Sequence, residues 1–311
     1  MPGPTPRTVR RLALASVVAN MAIVVTGGAV RLTSSGLGCP TWPRCTATTL
    51  TPTAEYAGHG IIEFGNRMLT FALTAVVLAT LIAVVRQRPR RRPLVLLAIA
   101  VVLGIPAQAV LGGITVLTGL NPWTVMAHFL LSMVLIGLAV VLHHRTGEGD
   151  GPPRRVVKQP LHRLGLGLLA AVAATLAVGT VVTGSGPHSG DPKAGRTGFD
   201  PGSISQIHTD LVMLLIGLSV ALWFALKATD APPAVVRAAG VLLVVEAGQA
   251  LIGWTQYFTH LPVILVGAHL AGACLVLIAA CRVVLHMRER GPVAGIAVQP
   301  GQSRELSATS A

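Results

Sequence analysis

Two segments of the chain end in a histidine placed 20 residues after a glutamine: QAVLGGITVLTGLNPWTVMAH over 108–128 and QALIGWTQYFTHLPVILVGAH over 249–269. A third histidine, His208, stands near the start of another apolar run. Ionisable side chains inside apolar helices are costly and serve a pathway, a relay or a cofactor. A single such histidine is explained as readily by a hydrogen bond to a neighbouring helix. Recurrence at a matched position favours metal ligation, because imidazoles on facing helices can hold a haem iron from its two sides. His208 and His269 form one such pair. His143, His144, His162 and His286 fall at helix ends, and His188 and His260 in or near loops, so none of these is assigned a ligand role.

The first half of the chain departs from the second. Asn66 aligns with His208, and Glu63 stands one helical turn before it, where the second half has Ser205. An amide is a poor iron ligand. His59, Glu63 and Asn66 share one helix face at i, i+4, i+7, but His59 lies ~10 Å further along the axis and replaces a ligand at 66 only if the helix start changes. The first half therefore reads as a haem site with one histidine, His128, a carboxylate, and an open iron position of the kind oxygen chemistry requires. The simpler role for Glu63 is an ion pair with Arg67 at i+4. Cys39 and Cys45 bracket CPTWPRC just before this helix. A disulfide is expected if that loop faces an oxidising compartment, either as a staple or as a redox or lid element. Cys274 and Cys281 read as small packing residues.

Helices must carry these groups, and the composition says in what solvent. Of 311 residues, 52% are hydrophobic and 11% charged, and mean hydropathy is +0.69, outside the range of soluble domains. Apolar runs long enough to cross a bilayer occur near 12–33, 60–85, 94–118, 121–143, 162–184, 204–226, 235–256 and 261–286. With the N-terminus inside, nineteen of the 24 Lys and Arg fall on the inner side, as the positive-inside rule requires. The net charge of +13 thus reflects topology, and no nucleic-acid partner is implied. The motifs VVTGG (24–28) and VVTGS (181–185) close the first helix of each half. A duplicated four-helix unit gives parallel repeats about an axis along the membrane normal. The expected fold is all-α: eight transmembrane helices as two four-helix bundles, both termini inside. The first span, long for a signal-peptide core and without a clear cleavage site, reads as a retained anchor. The halves are 1–145 and 161–286, with a linker at 146–160 and a disordered tail at 287–311.

The stretch TGGAVRLTSSGLGCPTWPRC from Thr26, then EFGNR from Glu63, resembles the N-terminal signature of the haem A synthases of the CtaA type. The eight spans and duplicated histidines extend the likeness over essentially the whole chain. The resemblance implies a cytoplasmic-membrane oxidoreductase that converts the C8 methyl of haem O to the formyl group of haem A, the cofactor of terminal cytochrome oxidases, at sites toward the outer face. It implies haem b on His208 and His269, substrate haem O on His128, Glu63 as the essential carboxylate and Cys39 with Cys45 as the outer-loop pair. That family carries histidine where this chain has Asn66, which leaves His128 alone, or a rearranged His59, to face the substrate iron. Arg31 and Arg67, at outer helix ends, are expected to hold haem propionates. Dioxygen or water is the expected co-substrate, and haem O synthase a partner. No nucleotide, flavin or iron–sulfur motif is visible, so electrons come from a separate donor. Two rivals share the features: a di-haem cytochrome b that only carries electrons, and a repeat-built transporter.

Overall fold

The computed structural model describes residues 4–291, apart from the side chains of Glu55 and Ala57. It is all-helical but for one short strand pair. The helices are α1 (Pro6–Leu32), α2 (Ala57–Arg86), α3 (Arg92–Leu117), α4 (Pro122–Thr146), α5 (Gln159–Ser185), α6 (Pro201–Ala228), α7 (Pro233–Phe258) and α8 (Val263–His286). All eight are long and apolar enough to cross a membrane, and the protein is multi-pass. Proline within the first helical turn starts most of them, with Thr5, Asn121 and Asp200 accepting hydrogen bonds from the first-turn N–H groups of α1, α4 and α6.

Each half closes on itself in the same way. α1 packs on α2 and α4, and α3 on α2 and α4; in the second half α5 packs on α6 and α8, and α7 on α6 and α8. The tight α3–α4 connection turns through left-handed residues at Gly119 (φ 63°) and Leu120 (φ 59°), and the α7–α8 connection does the same at His260 (φ 62°) and Leu261 (φ 59°). α1, α4, α5 and α8 join the halves. Their shared core runs from Val17, Met133 and Ile136 through Leu168 to Leu222, Leu242 and Ala280. Large side chains such as Phe71, Leu251, Phe258 and Ile264 point outward, as a lipid-facing surface requires.

The linker is folded. Arg91, at the start of α3, is buried and donates from Nε and Nη2 to the two Asp150 oxygens at 2.8 and 2.9 Å, and from Nη2 to the carbonyls of Arg145 and Glu148. Beyond it, strand β1 (Pro153–Arg155) pairs antiparallel with strand β2 (Arg288–Arg290). The expectation of a disordered tail from 287 is therefore corrected at its start: Arg288–Arg290 are held by backbone pairing and by Arg290 Nη1 donating to Gly151 O. The rest of that tail, 292–311, lies outside the described residues.

Hydrogen bonds from the Arg91 guanidinium hold the Asp150 carboxyl below the ordinary aspartate range, with burial opposing them and the Arg91 and Arg145 charges adding to the effect. A depressed folded-state pKa gives stability that is complete above the unfolded value of ~3.9 and is lost as pH falls through the folded one. Thermal unfolding of wild type and Asp150→Asn should therefore differ by a constant margin above about pH 4, and the two curves should converge at lower pH.

Candidate functional site

His208 on α6 and His269 on α8 face each other within the second half. Their ring centres are 6.4 Å apart and their planes are inclined at 73°. Metal–imidazole bonds of about 2 Å, with about 1 Å more from each ring nitrogen to its ring centre, place two axial ligands of one iron roughly 6 Å apart. The pair thus fits a six-coordinate haem iron. Both Nδ1 atoms are buried without a hydrogen-bond partner.

Each ring lies against a glycine. A methyl group on Gly179 of α5 would stand 3.0 Å from Cε1 of His208, and one on Gly253 of α7 would stand 3.2 Å from Cε1 of His269. Both are tighter than ordinary van der Waals contact. The missing Cβ is what lets each ring sit in the helix interface. Gln249, one helical turn from Gly253, donates to His269 O at 2.7 Å and so ties α7 to α8 at that histidine.

The first half repeats half of this arrangement. Gln108 donates to His128 O at 3.1 Å and to Ser132 Oγ at 2.6 Å. A methyl on Gly112 would lie 3.1 Å from His128 Cε1, and His128 Nδ1 is buried and unpartnered. The other side differs. Asn66 stands where the second half has His208, and the VVTGG and VVTGS motifs align Ala22 with Gly179. The Asn66 side chain instead lies near Gly27 of α1, with Nδ2 3.8 Å from where a Cβ there would stand. Asn66 Oδ1 is buried without a partner. His59 is exposed, and its Nδ1 lies 2.9 Å from Ser35 Oγ.

Glu63 is 6% exposed, and both of its oxygens are engaged. Oε1 accepts from Arg67 Nη2 at 2.5 Å and Oε2 from the backbone N–H of Cys39 at 2.7 Å. Arg67 also donates to the carbonyls of Cys39, Thr41 and Arg44. The expected disulfide is formed between Cys39 and Cys45. Its loop lays Trp42 on Gly113 of α3, where a Cβ would collide with the indole. The loop therefore spans from Glu63 on α2 to the residue beside the seat of His128.

Arg31 reaches across the halves, donating from Nη2 to Thr183 O at 2.7 Å, and its Nε is buried without a partner. Cys274 and Cys281 are buried thiols. One group escapes the sequence reading: Glu246 on α7, 4% exposed, accepts from Ser219 Oγ of α6 at 2.8 Å. The signal for it is a lone acid inside the seventh apolar run.

A half-buried pair of facing imidazoles, a half-copy of that site, and a disulfide loop pinned by a carboxylate make a pattern that can be compared with known families. Residues 10–188, more than half of the chain, match the COX15-CtaA family, described as cytochrome oxidase assembly protein. The chain belongs to this family. Among similar proteins, one named heme A synthase from Shewanella oneidensis is 29% identical over 186 residues, 54% of this chain and 53% of that one. Proteins of the same name from Geobacillus kaustophilus (33% over 120 residues; 37% and 36%) and Bacillus pumilus (33% over 156 residues; 49% and 50%) are also similar. In each case the chain matches about half or less of the relative's length.

A hydrogen bond to a charged group is worth about 1.5–3 kcal/mol, so loosening the Glu63 clamp has a measurable effect on the loop. Glu63→Gln should accelerate reduction of the Cys39–Cys45 bond by an external thiol by roughly tenfold or more. An unchanged rate would mean that the loop is held by Arg67 and Trp42 without Glu63.

Proposed function

We propose that the protein is a haem A synthase of the cytoplasmic membrane, oxidising the methyl group of bound haem O to the formyl group of haem A. The observation that carries this reading is the unequal pair of histidine sites: two facing imidazoles in one half, and one imidazole opposite an asparagine in the other. Membership in the COX15-CtaA family and the heme A synthase relatives support it.

In this reading His208 and His269 hold a resident haem b, which supplies one-electron transfer when bound. Gly179 and Gly253 let the two rings lie in the interface, and Gln249 fixes the α8 backbone beneath the ligand. His128 takes the iron of the substrate haem O on one face. Asn66 leaves the opposite face without a second strong ligand, which is where dioxygen or water would be used. With dioxygen as the oxidant, the methyl carbon would be hydroxylated twice, each round placing one oxygen atom on carbon while two electrons from an external donor protein and two protons reduce the other to water, and the resulting gem-diol loses water to give the aldehyde.

Glu63 acts as a positioning residue. With Arg67 it holds the Cys39–Cys45 loop over the first-half site, with Trp42 beside the His128 seat. The unpartnered Arg31 Nε is the charge available to a haem propionate, while the recorded bonds of Arg67 stay within the clamp. Both termini lie in the cytoplasm, the halves are parallel repeats, and the histidine sites lie toward the outer face. The enzyme that makes haem O is the natural source of so apolar a substrate.

Purification from a host that makes haem O, followed by pigment extraction, tests the reading. Wild type should retain haem b and yield haem A. His208→Ala or His269→Ala should lose the six-coordinate haem spectrum. Glu63→Ala should keep haem b while haem A production falls at least about tenfold, the equivalent of one buried charge-assisted bond. Two retained haem b per chain and no haem A would favour an electron-carrying cytochrome b instead, and a colourless protein a transporter.

A further inference from the structure

The mechanism above makes no use of Glu246. Its position is unusual: it is the fourteenth of 26 residues in α7, close to the middle of an apolar span, and only 4% exposed. Oε1 accepts from Ser219 Oγ, whereas Oε2 is buried with no partner. Gln249 follows at i+3, on the same helix face and ~4.5 Å along the axis. Its amide nitrogen bonds His269 O, and its Oε1 is also buried and unpartnered. Ser219 is thus bonded to Glu246 and Gln249 to the backbone of His269, with the unpartnered acceptors of Glu246 and Gln249 about one helical turn apart on α7. In the first half the glutamine and the histidine recur, but the position matching Glu246 is Ile105. The carboxyl group is confined to the half with two facing histidines.

Counter-charges are missing. The titratable and charged groups on the helices packed against α7 are His208, Asp210 and Lys227 on α6, and His269, Cys274, Cys281, Arg282 and His286 on α8; α7 itself carries Arg237 and Tyr257. Among the described residues none forms an ion pair or hydrogen bond with Glu246. A buried charge needs a compensating one. In the proposed holoprotein the ferric porphyrin adds a positive charge to this half, a net plus one at its core when both axial ligands are neutral imidazoles. Reduction removes that charge and leaves the carboxylate uncompensated in a medium where charges interact strongly.

We propose that Glu246 is an internal proton acceptor that takes up one proton when an electron reaches the iron held between His208 and His269. The inference rests on the reading of those two histidines as haem ligands. A one-electron reductant outside the chain supplies the electron, and water supplies the proton. Iron passes from ferric to ferrous, an O–H bond forms on the Glu246 carboxylate, and the net charge of the buried site is unchanged. Ser219, donating to Oε1, supports the ionised form in the oxidised protein. Gln249, three residues on along the same face, ties α7 to the backbone of His269.

Infrared difference spectra, reduced minus oxidised, on the detergent-purified holoprotein with dithionite as reductant read this directly. Reduction should produce a carboxylic-acid C=O band that shifts in heavy water, disappears in Glu246→Gln and moves in Ser219→Ala. The haem midpoint potential should fall with rising pH in wild type and lose that slope in Glu246→Gln. Should Glu246→Gln fail to assemble, glutamate carrying a 13C side-chain carboxyl in wild type, together with Ser219→Ala, makes the same assignment. A pigmented wild type with no such band, or a band and a pH slope that survive in Glu246→Gln, would overturn the proposal while leaving the histidine site standing. A colourless wild type would remove both.

Discussion

Two imidazole rings whose centres stand 6.4 Å apart inside an apolar helix bundle constrain everything packed around them. Rings of that size fit between helices only where a neighbour gives up its side chain, so Gly179 and Gly253 lie against them. Hydrogen bonding then has to hold the helices at that spacing. Gln249 does so from α7 to the ligand's own carbonyl, and the shared core of Leu168, Leu222, Leu242 and Ala280 fills the bundle beyond it. Without a hydrophobic drive between helices in lipid, close packing of small residues and buried hydrogen bonds carry the association.

The two halves use the same parts unequally. The glutamine, the glycine seat and the histidine recur on α3 and α4, whereas the facing position changes from His208 to Asn66 and its seat from Gly179 to Ala22. The disulfide loop and its Glu63–Arg67 clamp belong only to the first half, and Glu246 with Ser219 only to the second. In the proposed function, one half would hold a ligand set permanently and the other would present an open face under the disulfide loop.

Much of this could be read from the residues. Eight apolar runs of spanning length give eight helices because no other structure satisfies the backbone in lipid, and the Gln-to-His interval of 20 residues marks the matched positions. The i+4 pairing of Glu63 and Arg67 follows from helix geometry alone. Contacts between groups remote in sequence could not be read. Nothing local places Trp42 on Gly113, Arg31 on Thr183 O, or Glu246 beside Ser219, because each depends on how whole helices are set against one another. The β1–β2 ladder was hidden for a different reason: three-residue arginine-rich strands have no periodicity to recognise. The i+4 ion pair of Glu63 with Arg67 gains a second part in three dimensions, because the other carboxylate oxygen accepts from the backbone N–H of Cys39 in the loop.

The central claim is that His208 and His269 bind the same iron. Low-temperature electron paramagnetic resonance of the oxidised holoprotein tests it most directly, because the ferric signal of a bis-imidazole haem responds to the angle between the two rings. One iron held between planes inclined at 73° should give a highly anisotropic low-spin signal that vanishes in either single alanine variant. A low-spin signal that survives unchanged in both variants, or only high-spin iron in wild type, would contradict it.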